Sequence, residues 1–138
     1  MAEPNQNVKR AFENASKKFS FRGIELCNAF ELPELTIIAC SGKIGQLIGK
    51  KGTVIAELSR ELNKKIRVVE HSSNAKKVVS DLIGNARLVG VNEVFSPIEK
   101  SINVFVNRND REKLVAKPEA LEKAAEEILR MRTRFEFG

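Results

Sequence analysis

The sequence predicts an α+β protein in which one small unit is used twice. Helical and strand periodicities follow one another in the order α-β-β-α-α-β, and the same order recurs at an offset close to 67 residues. The halves meet at His71-Ser72-Ser73, too short for a free linker, and each is near the lower size limit for an independent core. The two units, 1–72 and 73–138, are therefore expected to pack against each other.

Val8, Ala11, Phe12, Ala15 and Phe19 recur at helical spacing and predict the first helix. Ile24 and Leu26 then alternate with Glu25 and Cys27, as in a strand. Pro33 sits in the turn Glu31-Leu32-Pro33-Glu34, where a missing N–H does no harm. Leu35 to Ser41 is apolar on both faces, which predicts a central strand. A short helix carries Ile44, Leu47 and Ile48, and Gly49-Lys50-Lys51-Gly52 interrupts it. A longer helix carries Val54, Ile55, Leu58 and Leu62, and the strand Lys65 to Glu70 closes the unit.

In the second half, Ser72, Ser73 or Asn74 caps a helix whose face is Ala75, Val78, Val79, Leu82 and Ile83. A strand near Arg87 to Phe95 turns at Ser96-Pro97 into another with Ile102, Val104 and Val106. Asp110 to Val115 reads as a short helix. Leu121, Ala124, Ala125, Ile128 and Leu129 share one face of a longer helix, and Phe135 and Phe137 lie in the last strand. Aligning the halves sets Val104 and Phe105 on Ile37 and Ile38, Leu114 on Leu47, Phe135 on Val68, and Ala124 on Leu58 with one residue lost in the loop.

Composition narrows the function. The chain has 24 Lys+Arg against 18 Asp+Glu, a net charge of +6, which favours polyanionic partners. The excess is local. Between Lys43 and Arg67, seven basic residues (Lys43, Lys50, Lys51, Arg60, Lys64, Lys65 and Arg67) face two acidic ones, Glu57 and Glu61, for a local balance of +5. Cys27, Cys40 and the single His71 make neither a disulfide framework nor a metal site. No metal or cofactor is expected, and the cysteines read as small buried hydrophobes in a reducing compartment. No apolar run reaches the ~18 residues of a membrane span, and the polar start Met1 to Asn7 is unlike a secretory signal. The expected location is the cytoplasm.

The tetrapeptide Gly49-Lys50-Lys51-Gly52 suits one kind of chemistry. Glycines without a Cβ let a sugar-phosphate chain approach the main chain closely. Gly52 stands just before a helix whose first N–H groups face an anion. Lys50 and Lys51 add positive charge at the same point. Such a loop grips a backbone and reads little of base identity. All eight aromatic residues are Phe, and none lies between Glu31 and Val94, so the sheet beside the loop has no stacking platform of the RRM or OB type.

The stretch Gly42-Lys43-Ile44-Gly45-Gln46-Leu47-Ile48-Gly49-Lys50-Lys51-Gly52-Thr53-Val54-Ile55, followed by Ile66-Arg67-Val68-Val69-Glu70, resembles a KH domain. The element order is similar to the type II, prokaryotic arrangement. Two such units with little else resemble the small archaeal NusA-like transcription proteins. The resemblance implies two packed type II KH repeats, each a three-stranded sheet covered by helices. It implies that Lys43, Ile48, Gly49, Lys50, Lys51, Gly52, Thr53, Ile55 and Arg67 hold single-stranded RNA, with Val68 near the groove and Leu58 better read as core. It also implies a part in transcription termination, antitermination or elongation, with RNA polymerase or ribosomal components as further partners and no small-molecule substrate.

The second half departs from the pattern. Ala116-Lys117-Pro118-Glu119 replaces the loop: both glycines are gone, a carboxylate arrives, and Pro118 removes an N–H and suits the first turn of a helix. The expectation is a repeat that no longer grips phosphate. Its acidic helix, with Glu119, Glu122, Glu126 and Glu127, reads either as a docking face or as a solvated surface. The rival function is a protein-interaction or ribosome-associated module with little RNA affinity. An enzyme is not expected: a P-loop would need glycine at Ile44 and a hydroxyl at Lys51, and His71 has no catalytic partner. Duplex DNA is disfavoured because no helix is basic along one continuous face.

Overall fold

A computed structural model describes residues 6–19, 23–33, 35–42, 44–45 and 52–138, and the chain divides between His71 and Ser72 into two compact units. The elements are α1 (Gln6–Phe19), β1 (Ile24–Glu31), β2 (Leu35–Gly42), α2 (Thr53–Leu62), β3 (Lys65–Glu70), α3 (Ala75–Ile83), β4 (Leu88–Phe95), β5 (Lys100–Val106), a 3-10 helix (Arg108–Lys113), α4 (Pro118–Leu129) and β6 (Arg132–Phe137). The short helix expected around Ile44 to Ile48 lies largely outside the described residues, as do Lys43, Ile48, Gly49, Lys50 and Lys51.

Each unit is a mixed α+β body around one three-stranded sheet, ordered β1-β2-β3 in the first and β4-β5-β6 in the second. In both, the first two strands are antiparallel and the last two parallel. A parallel pair needs a long crossover, and α2 and α4 lie in those crossovers. β2 is central and buried at every residue from Leu35 to Cys40, as a run that is apolar but for Thr36 requires. On one of its faces Ile38 and Cys40 pack with Val8, Ala11, Phe12 and Ala15 of α1 and with Val54 and Leu58 of α2. Burial pushes the Cys40 thiol up to about 12, with neighbouring Cys27 adding to the rise. Only one of the two cysteines is a buried hydrophobe, however: Cys27 sits half-buried at the bulge between Leu26 and Asn28.

The register corrects two of the sequence correspondences. Ile38 pairs with Val68, and Val104 pairs with Phe135, so Val104 stands where Ile38 does and not where Ile37 does. Both crossover helices end on a left-handed residue, Asn63 and Arg130, whose N–H groups donate to the carbonyls of Ser59 and Glu126. The helices therefore match with Ser59 on Glu126, which sets Leu58 on Ala125 instead of Ala124. Sequence could not choose, because Ala124 and Ala125 are both apolar and both buried. A one-residue slip in an apolar run leaves no trace in hydropathy, although it exchanges the two sheet faces.

The second unit is braced by Asp110, which has only 2% of its side chain exposed. It accepts hydrogen bonds from the Arg87 backbone N–H (2.8 Å) and Nε (2.9 Å), and Lys113 Nζ lies 3.3 Å away. The Arg87 side chain first, then its backbone N–H, draw the Asp110 carboxyl down to about 2. A depressed carboxylate adds stability above its unfolded value and loses it as pH falls through the folded one. Thermal unfolding should therefore show a constant deficit for Asp110→Asn above pH ~4 that shrinks as the pH falls toward ~2. A deficit unchanged across that window would mean that the charge contributes nothing.

Candidate nucleic-acid interface

Gly52 is the N-cap of α2 and holds φ +65°, a left-handed conformation that glycine adopts without strain. Glycine at the N-cap has no side chain with which to cap the helix, and no acidic residue lies in its first turn. The second unit treats the same place differently. Its 3-10 helix runs out into extended chain at Leu114, and α4 begins at Pro118 with Glu119 in its first turn. Both features close that helix end to an anion.

The two crossover helices also treat the edge of their sheets differently. Glu122 and Glu126 are four apart and face the outer edge of β6, where their carboxylates accept from the N–H groups of Phe135 (2.7 Å) and Thr133 (3.2 Å). By the matching helix ends, Ile55 and Ser59 occupy those places on α2. By the matching ladders, the N–H groups of Ile66 and Val68 point outward on β3. Neither Ile55 nor Ser59 offers a carboxylate, and the Ser59 hydroxyl donates to the Lys64 carbonyl at 2.6 Å. Among the described residues nothing accepts from Ile66 or Val68, so no described side chain fills this edge as Glu122 and Glu126 fill that of β6.

The sequence-predicted site residues therefore separate. Gly52, Thr53 and Ile55 lie together at the start of α2, with Thr53 exposed and Ile55 half-buried beside the β3 edge. Leu58 is core, at 2% exposure. Arg67 is not brought to this groove. It pairs with Ile37, while Ile66 and Val68 pack with α1 and α2, and alternate residues of a strand face opposite ways. Lys43, Ile48, Gly49, Lys50 and Lys51 lie outside the described residues. Part of the local positive charge is committed to ion pairs. Arg60 is bound to Glu57 at 2.5 Å, Lys18 joins the same carboxylate at 3.3 Å, and Lys64 lies 3.7 Å from Glu31. Arg60 first, and then Lys18, hold the Glu57 carboxyl below its ordinary range.

The sequence reading missed Glu122 and Glu126. The i,i+4 spacing of two carboxylates ahead of a strand was visible, but neither the docking nor the solvated reading describes side chains half-buried against β6. Among the described residues, no three His, Cys, Asp or Glu side chains gather as metal ligands, and no helix is long and apolar enough to cross a membrane.

Comparisons with known proteins bear on the first unit and on the fold. The model of the NusA-like first KH domain matches residues 35–71, a span that runs from β2 through the glycine-lysine loop to the end of β3. No curated protein matches the chain. A solved structure described as "Crystal structure of APE1850" is similar at 20% identity, with a TM-score of 0.65 over 93% of this chain and 96% of that one. At that identity the likeness is one of fold, and it extends over both units.

Proposed function

We propose that the protein binds single-stranded RNA through its first unit, as a NusA-like factor in transcription termination, antitermination or elongation. The observation that carries this reading is the KH match over residues 35–71, which spans Gly49-Lys50-Lys51-Gly52. Both units are read as type II KH repeats in tandem, a reading supported by their common strand order and senses. The loop and the uncapped start of α2 take the phosphates, and the open β3 edge beside Ile55 receives bases. Lys43 and Thr53 flank that grip. Arg67, on the other face of β3, reaches only a strand that passes around the sheet edge.

The second unit is read as a buttress. Pro118 and Glu119 close its helix end, and Glu122 and Glu126 occupy the edge a base would use. The protein works by binding and not by catalysis, in the cytoplasm of an archaeal cell, with RNA polymerase or ribosomal components as further partners. The rival, a protein-interaction or ribosome-associated module with little RNA affinity of its own, predicts little binding by the first unit.

A titration with a randomised single-stranded RNA pool and a duplex DNA control decides between them. Binding should favour the single strand. Its log–log salt slope should lie near −3, from about 0.7 per phosphate over about four nucleotides. A flat salt response would remove the phosphate grip.

A further inference from the structure

Four of the five large exposed apolar side chains among the described residues, Val89, Val94, Phe95 and Ile98, belong to β4 or to the turn after it. β4 is an edge strand with β5 on one side only. The Asn107 N–H donates to the Arg87 carbonyl at 3.0 Å, and the Ser96 N–H donates to the Glu99 carbonyl at 3.1 Å. Between those two closed pairs, Gly90, Asn92 and Val94 turn their backbone groups toward β5, and Val91, Glu93 and Phe95 turn theirs outward. Strands that resist pairing at an edge carry lysine or proline. β4 has neither, and Glu93 is its one charged residue. A groove of about 930 Å³ runs along this edge, bounded by Lys76 at the start of α3 and by Leu88 to Val94.

We propose that β4 is a self-association surface, where two copies of the chain join antiparallel, edge to edge, about a twofold axis at Asn92. The two three-stranded sheets become one continuous sheet across the axis. In this register Val91 lies opposite Glu93 of the second copy, so outward-facing backbone groups meet outward-facing ones on both sides of the axis. The two most exposed apolar residues of β4, Val89 (64%) and Phe95 (66%), come together twice. Directly opposed residues share a sheet face, so the second copy's Glu93 enters the groove that Lys76 borders, and the charges are complementary. Neighbouring registers lose this match. An axis at Glu93 opposes two carboxylates, and an axis at Val91 sets Val89 against Glu93. The surface lies wholly in the second unit, and the proposal is independent of the RNA reading.

Sedimentation velocity of the full chain from about 1 to about 200 µM tests it. The expected result is a 15.4 kDa monomer giving way to a species of twice that mass. Glu93→Lys and Lys76→Glu should each weaken the association about tenfold, and the double variant, which exchanges the charges, should restore it. Val91→Pro removes an outward N–H without touching the β5 ladder and should abolish the dimer with circular dichroism unchanged. If Val91→Pro unfolds the unit, the charge exchange still decides. A wild type that stays monomeric throughout overturns the proposal. So does a dimer indifferent to Glu93→Lys, or one that the charge exchange fails to restore.

Discussion

Replacing Lys50 and Lys51 together with Asp should weaken the proposed single-stranded RNA binding by at least about a hundredfold. On the proposed reading, two cations that each neutralise phosphate become two anions where a nucleic-acid backbone is expected to approach the chain. The loss is larger than deletion of two contacts, because attraction turns into repulsion. The measurement is a titration of the variant beside the wild type, with circular dichroism as the control for folding. Two lysines in a polar tetrapeptide bounded by glycines are expected to be exposed, so the spectrum should not change. An unfolded variant would make the loop structural, and a variant that still binds would place the phosphate grip elsewhere.

The second large effect falls on stability. Gly42 ends β2 at φ +100°, and a Cβ there would collide with the backbone carbonyl oxygen of Gly23. Neither side of that contact is a flexible side chain, so neither can move aside cheaply. Gly42→Ala should cost on the order of 3 kcal/mol from left-handed strain plus overpacking, a fall in melting temperature of more than about 12 °C. Gly52→Ala is the control. Gly52 has φ +65° with nothing within 4 Å of the added methyl, so only backbone strain remains, at about 1 kcal/mol. Equal melting temperatures for the two variants would show that the approach of Gly23 to Gly42 is not part of the folded state. The contrast also separates two uses of glycine around one loop: Gly42 allows a close approach of chains, and Gly52 supplies a helix start.

Much of this protein is legible from periodicity. The apolar run of Leu35 to Cys40 foretells a central strand, because only a strand with neighbours on both sides and cover on both faces tolerates it. The face Leu121, Ala124, Ala125 and Ile128 foretells α4, and Pro118 marks its first residue. The glycine-lysine tetrapeptide and the strand after it suffice to suggest a KH unit, and the family match covers that same stretch. These readings succeed because burial at a fixed period and local backbone chemistry are properties of neighbouring residues.

The sequence by itself thus determined the order of the described strands and longer helices, and the stretch, Gly49 to Gly52, where the two halves part company. The tertiary structure alone decided which residues share a face and which polar groups find partners. It turned Arg67 to the far side of β3, committed Arg60 and Lys64 to ion pairs, and set Val104 on Ile38. It also gave Glu122 and Glu126 their role, because a carboxylate on a helix meets a strand N–H only once the crossover has folded back on the sheet. Register and strand face depend on residues far apart in the chain, and even the short-range Arg60–Glu57 pair needs the helix to form first; a one-residue slip changes register and face while leaving the hydropathy pattern nearly unaltered.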